Sequence, residues 1–119
     1  MNDIGYFSKA EMACKCGCGI VKTQPRFIFK MNLLREYVGH PLRINSWCRC
    51  HVHNISVGGT PDSSHPKGWA SDINATSLYV QCRILFAAGQ LGFRGVGIAK
   101  HFIHLDDDPN KPSNRFWIY

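Results

Sequence analysis

The sequence predicts an α+β domain in which two principal helices cover a small, mainly antiparallel sheet. Three observations lead there. Phe27, Met31, Leu34 and Val38 recur at helical spacing, and so do Val80, Ile84, Ala87 and Leu91. Short runs that alternate apolar and polar residues, such as Leu42–Ser46 and Phe102–Asp106, read as strands. Their order is helix, strand, loop, strand, helix, strands, which suits helices packed on one mixed-connection sheet. The 119 residues make one domain, 1–119, with enough chain for a real core.

Each element has a local cause. Ser8 and Glu11 match the capping-box pattern, so a short helical turn starts there. Pro25 suits a first helical position and Gly39 a helix end. His40-Pro41 then forbids continuation, because a residue before proline is driven from the helical region. Leu42–Ser46 is the first strand. Trp47–Lys67 reads as a long loop, rich in Gly, Pro, Ser, Asn and His, and loops of that length are usually functional. Trp69–Ile73 is a second short strand. Helix resumes near Ser77, where Leu78, Cys82 and Leu85 widen the apolar stripe, so this helix is expected to be buried on much of its surface. Residues 95–99 and 101–106 follow as a pair of strands, and 115–119 as a last edge strand.

Composition narrows the function. Lys plus Arg number 14 against 8 Asp plus Glu, a net charge of +6 that favours anionic partners. No like-charge run is long enough for a nucleic-acid arm, and no basic helix or aromatic platform accompanies it, so a nucleic-acid partner is disfavoured. No stretch reaches the ~20 apolar residues of a membrane span. The N-terminus lacks a basic segment followed by an apolar one, so synthesis in the cytoplasm without a signal peptide is expected.

Chemistry concentrates in three side chains. His65 and Asp72 stand seven positions apart, with Gly68 to let the chain turn between them. His104 lies on a candidate paired strand, where Phe102, His104 and Asp106 share one face and Ile103 and Leu105 the other. Two imidazoles and one carboxylate form the usual protein set for a catalytic zinc, leaving a fourth position for water. A histidine and an aspartate at this spacing are by themselves a weak signal.

Several motifs together sharpen it. Ser63, His65, Gly68, Ala70 and Asp72 spell S-x-H-x-x-G-x-A-x-D, which resembles the motif of zinc D-alanyl-D-alanine peptidases. FIHLD resembles that family's third-ligand strand. RINSWCRCHVHNISVGG resembles its strand and loop bearing an arginine and an asparagine. FSKAEMACKCGCG and the closing RFW look like the ends of compact bacteriophage members, so the likeness runs through nearly the whole chain in order.

The resemblance implies a hedgehog/DD-peptidase-like fold and a zinc peptidase that hydrolyses peptide bonds next to D-amino acids in bacterial peptidoglycan. His65, Asp72 and His104 match the zinc ligands. Arg49 matches an arginine that holds a substrate carbonyl or carboxylate, a task suited to the guanidinium fork. Ser63 matches a substrate-side hydroxyl. The family's acidic base, three positions before the last ligand, is replaced here by His101, whose imidazole can accept a proton near neutral pH. Asp106 joins Arg49 and Ser63 as a substrate-facing residue. Two other uses are open to it: a substitute base, or an acceptor that orients a ligand imidazole.

A phage setting implies a monomer made in the host cytoplasm that acts on the wall after release or as part of a virion. The departure at His101 keeps a second reading open, a metal-stabilised wall-binding or virion module without turnover. Cys14, Cys16, Cys18, Cys48 and Cys50, with His51 or His53 nearby, are expected to be structural, through either a second zinc or disulfides. Cys82 is expected to be a small core residue.

Overall fold

The computed structural model describes residues 3–119. It opens with a two-stranded antiparallel ribbon, β1 (Asp3–Ile4) and β2 (Phe7–Ser8), which the sequence did not signal. The short helix α1 (Lys9–Met12) follows with its capping box formed: the Ser8 hydroxyl accepts from the Glu11 N–H and the Glu11 carboxylate from the Ser8 N–H. Helix α2 (Pro25–Val38) starts on proline and ends on Gly39 at φ 84°, as expected. Phe27, Ile28, Met31, Leu34 and Val38 are its buried face.

A five-stranded sheet holds the rest together. In spatial order it is β3 (Ile44–Ser46), β4 (Ala70–Asn74), β6 (Phe102–Asp106), β5 (Gly95–Ile98) and β7 (Arg115–Ile118). All neighbours are antiparallel except β5 and β7. The α+β class and the closing edge strand are therefore as read from the sequence. Ile73, Ile103 and Leu105 point from the sheet into the core, where Trp47 packs edge-on against Phe7 and Phe27.

Three expectations fail. The segment 47–67 is not all loop: α3 (His51–Ser56) forms inside it, with the Cys50 sulfur accepting from the His53 N–H at its start. A weak apolar period hid this helix, because Val52 and Ile55 face solvent. Helix α4 (Leu78–Leu91) is buried only along Ile84, Ala87 and Ala88. Leu78 and Phe86 are 83% and 73% exposed, since the narrow sheet and α2 cover one side of α4 only. Cys82 consequently lies exposed on α4 rather than in the core.

Candidate metal centre

The register of the sheet assembles the site. Asp72 on β4 lies directly opposite His104 on β6, and His104 lies opposite Gly97 on β5, which lies beside Trp117 on β7. Ser46 on β3 extends the same row on the other side. The next row carries Ala70, Asp106, Gly95 and Arg115. Side chains of one row share a face, so Ser46, Asp72, His104 and Trp117 project together on the side away from the core. The glycines clear space. A Cβ on Gly97 would sit 2.6 Å from the Trp117 ring, and one on Gly95 would strike the Asp106 carboxylate.

His65 arrives from the loop before β4. Gly68 turns the chain there at φ 80°, and a Cβ on it would lie 2.6 Å from the Lys22 carbonyl oxygen. The loop is pinned from below by the buried Asp108, which accepts from Ser64 Oγ at 2.9 Å and Lys67 Nζ at 3.1 Å. Burial raises the Asp108 pKa, but the Asn110 N–H, Lys67 and Ser64 outweigh it and hold the carboxyl below its ordinary value.

His65 Nδ1 lies 2.7 Å from the Trp47 carbonyl oxygen. A carbonyl only accepts, so Nδ1 carries a proton and Nε2 is the nitrogen turned to the centre. That nitrogen faces Asp72 Oδ1 at 3.4 Å. His104 Nδ1 meets the same oxygen at 2.9 Å, while its Nε2 meets Asp106 Oδ2 at 2.9 Å. Both contacts of His104 are with carboxylates, which accept and do not donate. Burial lowers the His104 pKa, but Asp106 and Asp72 together raise it above the usual imidazole value. For Asp72, burial raises the pKa, and hydrogen bonds and charge from His104 and His65 bring it well below the carboxylate range. Asp106 is shifted down likewise, against its burial, by His104 and by Arg115, whose guanidinium pairs with it.

Two imidazole nitrogens converge on one carboxylate oxygen, an arrangement that positive charge between them, as protons or as a metal ion, makes favourable. One atom from each of His65, Asp72 and His104 lies within 4.8 Å of the others. A tetrahedral zinc bound at ~2.1 Å spaces its ligand atoms roughly 3.4 Å apart. The donor set and its spacing therefore fit zinc, with the Asp106 carboxylate as acceptor for the second nitrogen of His104.

The other expected residues divide. Arg49 is at the site: Nε donates to Ser46 Oγ at 3.0 Å, Nη1 to Asn54 Oδ1 at 3.3 Å and Nη2 to Asp72 Oδ2 at 3.0 Å. Ser63 lines the same cleft, its hydroxyl accepting from the His65 N–H at 3.2 Å. Asp106 is there too, but buried beneath His104 and Arg115. His101 is exposed in the connection before β6 and is not among the residues lining the cleft. The cleft, about 500 Å³, is walled as well by Trp117, Tyr119 and Lys111. The Trp117 ring lies 5.2 Å from that of His104. Sequence reasoning missed this wall. Its signal was the pair of glycines two apart in β5, since glycine inside a strand marks a close approach.

The family model described as Peptidase M15 matches residues 5–106, most of the chain and all three candidate ligands. Strand β7, with Arg115 and Trp117, lies beyond the matched range. No curated protein matches the chain. No helix among the described residues is long and apolar enough to cross a membrane.

Proposed function

The chain belongs to the peptidase M15 family, and on that premise we propose that it is a zinc-dependent peptidase cutting peptide bonds next to D-amino acids in bacterial peptidoglycan. The observation that carries this reading is the shared Asp72 oxygen, with His104 Nδ1 and His65 Nε2 both turned to it. His65, Asp72 and His104 would hold the ion. When bound, zinc supplies a Lewis acid for the scissile carbonyl and brings the pKa of a water near ~7.

The remaining work falls to this chain's own groups. Asp106 takes the Nε2–H of His104 and fixes the ring. Arg49, braced by Ser46, Asn54 and Asp72, offers positive charge to a substrate carboxylate or to the developing oxyanion. Ser63 stands at the cleft beside the His65 backbone for a substrate contact. His101 is assigned the proton transfer between water and leaving amine. Residues 1–119 act as one monomeric domain in this proposal, made in a bacterial host and serving lysis or entry of a phage.

Purified protein should bind zinc at this centre and clear bacterial walls, and His65→Ala should abolish both. Mass spectrometry of digested wall fragments would name the bond. The exposed position of His101 favours a second reading, a wall-peptide-binding module without turnover. Zinc retained with intact walls at every pH would decide for the second reading. His101→Ala with unchanged turnover would remove that residue from the mechanism.

A further inference from the structure

A second cluster includes Cys50, the residue that follows Arg49. The sulfurs of Cys14, Cys16, Cys18 and Cys50 all lie within 4.8 Å of one another. Cys14 and Cys16 Sγ are 3.4 Å apart, and Cys16 and Cys50 Sγ 3.7 Å. Tetrahedral zinc with bonds of ~2.3 Å sets its sulfurs roughly 3.8 Å apart. Disulfides would instead draw sulfurs into separate pairs at ~2.05 Å.

The backbone is shaped around the same point. Gly17 and Gly19, flanking Cys18, both take φ 85°, and the Cys14 N–H closes the turn on the Ile20 carbonyl at 2.9 Å. No heavy atom lies within 4 Å of a Cβ built on either glycine, so the left-handed turn itself is what calls for them. Two N–H groups point at the sulfurs: Cys50 N–H donates to Cys14 Sγ and His53 N–H to Cys50 Sγ, each at 3.3 Å. Such donors stabilise charge on metal-bound thiolates. The other two cysteines are outside the group of four, although Cys48 lies close enough to feel the charges of Cys14, Cys18 and Cys50. Cys48 is buried and its sulfur accepts from the Lys22 N–H, and Cys82 is out on α4.

We propose that Cys14, Cys16, Cys18 and Cys50 bind a second zinc ion in a closed, structural tetrathiolate site. Four protein ligands leave no position for substrate. The ion clamps the N-terminal turn to Cys50, which follows Arg49 and starts α3. Helix α3 carries Asn54, a brace of Arg49. The clamp therefore bears on the guanidinium of the cleft from outside it.

The test is metal analysis with cobalt substitution on protein purified under reducing conditions. Wild type should carry two zinc ions per chain, and Cys82→Ser should keep both. The double variant Cys14→Ser/Cys50→Ser should lose one, as should His65→Ala. Cobalt-loaded His65→Ala should keep intense near-ultraviolet sulfur-to-cobalt charge-transfer bands, and the double cysteine variant should lack them. Should the double variant not fold, Cys18→Ser, altered at an exposed position, should weaken and shift the same bands. Wild type without those bands overturns the proposal, whether its four thiols are free or paired as disulfides. The bands report thiolates alone, so this result is separate from the fate of the His65 centre.

Discussion

At the scale of single residues, Asp72 is the pivot, since His65, His104 and Arg49 all turn to its carboxylate. Its pKa is depressed in the folded state, so it contributes stability above the usual carboxylate value, near ~4, that is lost as pH falls below it. His104 is shifted the other way. Its contribution is complete below ~6.5 and fades as pH rises through its raised folded value. Metal-free protein should thus melt highest between about pH 4 and 6.5. Zinc takes the place of a proton, so its affinity should climb with pH where the melting temperature of the empty form declines; titration calorimetry checks the first and thermal melts across pH the second. Asp106→Asn removes the charge behind His104 and should weaken zinc binding by about 10- to 100-fold. The trio itself was legible, because the H-x6-D spacing and the alternation of FIHLD are written in the chain. The Trp47 carbonyl that orients His65 was not, since no residue type encodes a backbone acceptor.

The elements show why the helices were easier to find than to orient. Periodicity located α2 and α4 within a residue or two, yet it cannot tell which neighbours cover an apolar stripe. In α4 full burial is confined to Ile84, Ala87 and Ala88, with Val80, Leu85 and Leu91 half-buried beside them. Ile84→Ala should therefore cost about 2–5 kcal/mol, whereas Phe86→Lys should change stability by less than about 0.5 kcal/mol, both read from denaturant midpoints. Helix α3 escaped notice because its first turn is secured by a thiol, Cys50, rather than by Ser, Thr, Asn or Asp. The loop into β4 makes a sharper demand. Gly68→Ala combines an unfavourable φ with a backbone clash at Lys22, so zinc affinity and melting temperature should fall together.

Over the whole molecule, the positive excess and the cleft belong to one design. A net charge of +6 favours anionic partners; under the proposed function, added salt should slow wall clearing while leaving hydrolysis of a small neutral peptide largely unchanged. Sheet class and the two principal helices could be read from the chain because they depend on local periods. The order β3-β4-β6-β5-β7 and the parallel return of β7 could not, because they depend on contacts between distant segments. That order has a practical result. Strands β4 and β6 are zipped through five residue pairs, Ala70–Asp106 to Asn74–Phe102, by backbone bonds that need no ion. The cradle is thus built before it is filled. Under the proposed function, a chelator should empty it under native conditions and cobalt, manganese or cadmium should load in turn, so that one folded scaffold would serve to compare cations side by side.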